Sequence, residues 1–449
     1  MNNTAHSELG TKSISPANVK EILSHYILAD GFDFVLDLVK SNGVNLVDSK
    51  TGETYLDFFT FFASNALGMN HPKMITDDFN NKLSNAARNK PSNSDIYTTE
   101  MAEFVEAFGK IAKPDHFKYL FFVEGGSVAV ENGLKVAFDW KVQKNFEKGY
   151  TEEKGHKVIH LKEAFHGRTG YTLSLTNTDP TKIKFFPKFD WPRVSNPKIK
   201  FPLVDNLSDV IAAEEKTIAE ILKAIEENPD DIAVIILEPI QAEGGDNFFR
   251  KEFFIKLREI CDKHEILLMF DEVQTGLGIT GKMWAAEHFV MPDIISFGKK
   301  VQVCGIMVSP RIDDVKEHCF KKSSRINSTW GGNLIDMVRA TKILQIIDEE
   351  KLVENAKTMG EYLLKRLEEF QIEFPNLVSN ARGLGLLCAF DFPSTETRTE
   401  FINKLYENKL IMLGCGSKSV RFRTALNIKK EELDKGLEII RNVLILLSK

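Results

Sequence analysis

Apolar positions in the middle of the chain follow two rhythms. Short runs rich in Val, Ile and Phe stand in HFKYLFFVEGG, HKVIHL, DIAVIILEP, ILLMFDEV and DIISFG, and runs of that length and composition predict buried strands. Between several of them lie amphipathic stretches such as EFFIKLREICDKHE, whose apolar residues recur at helical spacing. This alternation predicts an α/β fold built on a mainly parallel sheet. Ligands of such sheets gather beyond the carboxyl ends of the strands, where this chain places Gly125, Gly126, Ser127, Glu238, Asp271, Glu272 and Lys299.

After about residue 335 the rhythm changes. DMVRATKILQIIDEEKLVENAKTMGEYLLKRLEEF predicts one long helical stretch, followed by short strands in LGLLCAFDF and SVRFRT and a closing helix, which together form a smaller α+β body. NLVDSKTGETYLDFF, with a turn at Lys50, Thr51 and Gly52, predicts a β-containing arm. The expected division is an arm over 1–70 that joins the small domain, a large domain over 71–335 and a small domain over 336–449.

Composition narrows the function. With 449 residues, 43% hydrophobic and 27% charged, the chain can bury a substantial core, and a net charge of −6 without any Lys/Arg block argues against nucleic acid as a partner. No stretch approaches the roughly 20 apolar residues of a membrane helix, and the first residues, MNNTAHSELGTKSISP, lack a leader pattern. The five cysteines are scattered, odd in number and without metal-site spacing, so neither disulfides nor zinc are expected and a reducing cytoplasm fits.

GLGITGKM satisfies GxGxxG through Gly276, Gly278 and Gly281 and nearly satisfies the P-loop pattern, yet neither reading suits its surroundings. Met283 stands where a P-loop needs a hydroxyl, and DEVQT separates the strand from the first glycine. More informative is the carboxylate of Asp271 at the end of one strand and an amine, Lys299 or Lys300, at the end of the next, since consecutive strands tend to be neighbours. Two adjacent strand residues face opposite sides of a sheet, so only one of these lysines should reach a shared ligand. Pyridoxal phosphate asks for such a pair: an amine to bond its aldehyde and a carboxylate to keep its pyridine nitrogen protonated. Gly125, Gly126 and Ser127, opening the helix VAVENGLKVAFDW, offer the phosphate N–H groups, a hydroxyl and a helix dipole.

GGSVAVE, AFHGRTG, EPIQAEGG, DEVQTG, DIISFGKK and STWGGN stand in the order and approximate spacing of the class III aminotransferases of fold type I, and the chain resembles that family along nearly its whole length. The family includes enzymes of ornithine, acetylornithine and 4-aminobutyrate. KPSNSD, FPKFDWPR, FGKKVQVCG and SRINSTWGGN are most similar to the branch that moves the terminal amine of L-lysine to 2-oxoglutarate. The resemblance implies pyridoxal 5'-phosphate bonded to Lys299, with Asp271 at the pyridine nitrogen, Gln274 at the ring hydroxyl, Val273 behind the ring and Phe165 in front. It further implies Gly126 and Ser127 at the phosphate, Thr329 reaching the same phosphate from a second subunit, and hence a homodimer with shared sites. Arg168 and Arg421 are implied as carboxylate binders and Glu243 as a switch that neutralises Arg421 until the keto acid arrives. Phe59, Phe61 and Phe62 are candidate walls for the methylenes of the substrate. Ala242 replaces a common glycine beside Glu243, and KVQVCG replaces a glycine-rich segment after the lysine.

Overall fold

The computed structural model describes residues 14–449; of the arm expected over 1–70, positions 1–13 lie outside the described residues. Seven strands form the main sheet, in the order Tyr119–Val123, Cys304–Val308, Ile294–Phe297, Leu267–Asp271, Ile232–Leu237, Lys157–Leu161 and Arg193–Val194. All five expected runs are strands. Cys304–Val308 was not foreseen, and it runs antiparallel to both neighbours while every other pair is parallel.

IAVIIL at 232–237 is buried at every position, as a strand covered by helices on both faces must be. One cover is the helix Gly126–Glu147, which packs on the sheet through Gly133, where a Cβ would lie 2.5 Å from the Met269 thioether methyl. Another is Lys251–Lys263, whose Phe253, Phe254, Leu257, Ile260 and Cys261 face inward. Asp271 pairs in register with Ser296, so the carboxyl ends of the two strands that carry the acid and the lysine pair do meet.

A second sheet of four antiparallel strands holds Ser379–Leu384, Leu387–Asp391, Ser419–Phe422 and Leu413–Cys415. The third joins Asn45–Val47 and Thr54–Asp57 to Leu410–Ile411. The long helical stretch is helical as expected and divides into two helices, Leu334–Glu349 and Leu352–Glu373, at Lys351, whose φ of 52° lies in the left-handed region. The glycines of GLGITGKM have a packing explanation instead of a phosphate one. A Cβ at Gly276 would meet the Trp284 ring at 2.5 Å, and one at Gly281 would meet Lys357 at 2.9 Å.

Candidate active site

Lys299 and Lys300 do not continue the strand, which ends at Phe297. They form the tight 3-10 turn Lys299–Val301 with Lys299 at φ 41°, so the expected strand alternation is not what separates them. Their environments do. Lys300 is buried and donates to the Gln274 carbonyl at 3.0 Å, and burial with the nearby Arg423 cation pushes its pKa well down. Lys299 Nζ makes no hydrogen bond among the described residues. Burial, then the Arg421 cation, lowers its pKa to about 8 against the opposing pull of Asp271 and Glu238.

Asp271 is fixed at both oxygens, Oδ1 accepting from Val273 N at 3.1 Å and Oδ2 lying 2.8 Å from His166 Nδ1. His166 comes from AFHGRTG and escaped the sequence reading, because a lone His carries no spacing signal. The Glu238 carboxylate below accepts from Phe165 N and Ala242 N, each at 3.0 Å; burial raises its pKa to about 7. Ala242 does not adopt a positive φ, so its backbone makes no demand for glycine.

Val273 links the acid to the start of the helix Gly126–Glu147. Its Cγ1 lies 3.0 Å from an ideal Cβ at Gly126 and 3.5 Å from one at Gly298, which brings the helix start and the lysine turn against one side chain. Gly125 caps that helix at φ 100°, a conformation that favours glycine. The Ser127 hydroxyl lies 2.6 Å from those of both Thr169 and Thr172, so three hydroxyls cluster beside the free N–H groups of the first turn. An N–H and hydroxyl cup, a free amine of lowered pKa and an oriented carboxylate meet the needs of pyridoxal phosphate, and the residues fit that cofactor.

Gln274 Oε1 accepts from Arg423 Nε at 2.9 Å. A guanidinium only donates, so the amide NH2 of Gln274 must face away from it, free to donate to a ring oxygen. Arg423 is held in turn by Asp246, Nη1 to Oδ2 at 3.0 Å. Neither was singled out from sequence.

Arg421 is 2% exposed, and its Nη2 pairs with Glu243 Oε2 at 3.0 Å, while its Nε and Nη1 find no partner among the described residues. The pair expected from the resemblance is therefore formed. Glu243 has a second cation that the sequence did not reveal, Lys182 Nζ at 2.8 Å from Oε1. The Phe62 ring stands 5.6 Å from the Arg421 guanidinium carbon and, with Phe59 and Phe61, forms an edge-packed cluster. Arg168 is exposed, between Gly167 and Thr169 that contact Ser127, and it makes no ion pair among the described residues. Thr329 is exposed, its carbonyl accepting from Ser92 Oγ at 2.6 Å; among the described residues nothing brings its side chain to Ser127.

The fold is that of a pyridoxal phosphate transaminase. The aminotransferase class-III family model matches residues 27–444, and the chain belongs to that family. An L-lysine-epsilon aminotransferase of Mycobacterium tuberculosis is 49% identical over 438 residues, 97% of each chain, and one of Streptomyces clavuligerus is 45% identical over 94% of this chain and 93% of its own. The solved structure of a lysine aminotransferase from M. tuberculosis superposes with a TM-score of 0.95, covering 97% of this chain and all of that one.

Proposed function

We propose that the protein transfers the ε-amino group of L-lysine to 2-oxoglutarate, giving 2-aminoadipate 6-semialdehyde, which closes on its own α-amine, and L-glutamate. The observation that carries this reading is the buried Arg421, neutralised by a partly open Glu243, in the same cleft as Lys299 and Asp271.

Pyridoxal phosphate, when bound, supplies an aldehyde to take up the amino group and a ring to withdraw electrons from the carbon losing its proton. Asp271 would keep the pyridine nitrogen protonated, and His166 holds that carboxylate in place. Ser127 and the Gly126 N–H would hold the phosphate, Val273 and Phe165 would flank the ring and the Gln274 amide would donate to its hydroxyl. Arg168 takes the α-carboxylate of lysine, so that Cε and not Cα stands at the reacting position. Lys299 Nζ, its pKa lowered chiefly by burial, would take the proton from Cε as a general base and pass it to the cofactor carbon that receives the amino group. While lysine is bound, Glu243 cancels the charge of Arg421 and leaves no second grip for a monocarboxylate. 2-Oxoglutarate brings two carboxylates; its α-carboxylate takes Arg421, its distal one Arg168, and Glu243 gives way.

Thr329 reaches the phosphate of a second copy, which makes the working unit a homodimer. Five free cysteines suit a reducing compartment, the cytoplasm, and no helix among the described residues is long and apolar enough to cross a membrane. The test is a half-reaction. Loaded protein is mixed separately with lysine, ornithine and 4-aminobutyrate in the absence of keto acid. Rapid bleaching of the yellow form by lysine alone is expected; equal bleaching by ornithine or 4-aminobutyrate overturns the lysine assignment.

A further inference from the structure

Glu243 sits between two cations that hold opposite oxygens, Arg421 on Oε2 at 3.0 Å and Lys182 on Oε1 at 2.8 Å. The two differ in freedom. Arg421 is 2% exposed on a central strand of the four-stranded sheet, whereas the side chains of Glu243 and Lys182 are 28% and 24% exposed. Lys182 closes the short turn Pro180–Lys182, which is pinned by Asp179 accepting from Thr181 N at 2.9 Å. Its ammonium also lies 5.3 Å over the Phe165 ring. Beside this pair opens a cavity of about 320 Å³ lined by Thr178, Lys182, Glu243, Arg398 and Gly416, room into which a carboxylate can turn without leaving the reach of Lys182.

We propose that Lys182 is a positioning residue that keeps Glu243 paired after the keto acid has taken Arg421, and so lowers the cost of admitting a dicarboxylate. This rests on Glu243 acting as the switch described above. With Glu243 on Arg421, its charge is shared between Arg421 and Lys182, both of which hold its carboxyl below the usual carboxylate range. Once a substrate carboxylate occupies Arg421, two anions cannot share one guanidinium cheaply, and Glu243 must leave. A partly buried carboxylate without a counterion is costly, and Lys182 then becomes its main partner. A contact that counts for more in one state than the other shifts the equilibrium by that difference. Lys182 therefore favours the open arrangement, the one that only the keto-acid half of the cycle requires.

The test uses loaded enzyme, with glutarate as an unreactive dicarboxylate. Lys182→Gln is expected to weaken glutarate binding, measured by calorimetry, about five- to tenfold and to raise the KM for 2-oxoglutarate similarly. The lysine half-reaction stays within about twofold, and Lys182→Arg recovers most of the loss. In a Glu243→Gln background, Lys182→Gln has no further effect. Unchanged glutarate binding, or equal slowing of both half-reactions, overturns the role of Lys182. Glu243→Gln alone separates the two ideas. If it slows the lysine half-reaction but Lys182→Gln leaves glutarate binding untouched, only the Lys182 proposal fails; if Glu243→Gln changes neither half-reaction, the switch itself fails, and the proposal with it.

Discussion

At the scale of single residues, two neighbouring lysines show how environment assigns chemistry that sequence leaves open. Lys300 is spent on the Gln274 carbonyl, and Lys299 is free, with a pKa brought down to about 8 chiefly by burial. A free lysine near pH 10.4 has fewer than about one neutral amine in a thousand at pH 7, whereas a pKa near 8 leaves roughly one in ten. Only the neutral form attacks an aldehyde. Cofactor-stripped protein should therefore take up pyridoxal phosphate at a rate that rises with pH through the neutral range and levels above about pH 8. Borohydride reduction followed by peptide mapping should label Lys299 and not Lys300, and Lys299→Ala should abolish labelling; label on Lys300 would reverse the assignment. Asp271 was visible in sequence because it closes a strand, Gln274 because it stands in DEVQTG, and Arg421 only through the family resemblance. His166, Arg423, Asp246 and Lys182 were not, since their importance lies in what they touch across long stretches of chain.

At the scale of elements, the apolar rhythm revealed Lys157–Leu161, Ile232–Leu237, Leu267–Asp271 and Ile294–Phe297 because each is a run buried at nearly every position, and it missed the parallel Arg193–Val194, which has only two residues. It did not reveal Cys304–Val308, whose CGIMV follows the lysine turn too closely to stand apart as a run. Local conformation was even less legible. Thr60, Phe61, Phe62 and Ala63 all take left-handed φ values of 41–65°, an arrangement that costs L-residues roughly 1–2 kcal/mol each. No composition signal marks it. Asp57 Oδ1 accepts from the N–H groups of Phe59 and Thr60 at 2.9 and 2.7 Å, Thr60 Oγ1 donates to the Arg423 carbonyl at 2.9 Å, and the result aims Phe62 at Arg421. Lys351 is a left-handed residue of another kind, exposed and without a side-chain hydrogen bond among the described residues. Lys351→Gly should accordingly stabilise the protein by about 0.5–1 kcal/mol in urea unfolding. Gly385→Ala should do the reverse, by more than about 1 kcal/mol, because at φ 57° its Cβ would strike the Ile279 carbonyl and the Thr280 backbone. An unchanged midpoint for either variant would contradict the strain argument.

At the scale of the molecule, residues distant in sequence build the cleft. The lysine turn and Asp271 come from the seven-stranded sheet, Arg421 from the four-stranded one, and the turn carrying Phe62 from the chain leaving the three-stranded one. One part of the proposed site, Thr329, lies outside. Its loop is stapled to the segment after Pro91 by Asn93 Nδ2 donating to the Gly332 carbonyl at 2.9 Å and by the Ser94 hydroxyl on the Ser328 carbonyl, so it is presented outward in a defined shape. Close by in sequence, Ile96, Tyr97 and Trp330 are 68%, 76% and 41% exposed, and exposed apolar surface of that kind suits a protein partner. If a second copy covers it, each phosphate site draws Lys299 from one subunit and Thr329 from the other. Thr329→Asp, which sets an anion against the phosphate, should then empty both sites of its homodimer, and Lys299→Ala should disable both of its own. A heterodimer purified through two different tags, one subunit carrying each substitution, should regain one intact site, made from the Lys299 of the Thr329→Asp subunit and the Thr329 of its Lys299→Ala partner. Bound cofactor and lysine half-reaction amplitude should both return to about half the wild-type value per dimer, as two independent sites require. A heterodimer as inactive as its parents would mean that Thr329 serves its own subunit, and the shared-site arrangement would have to be abandoned.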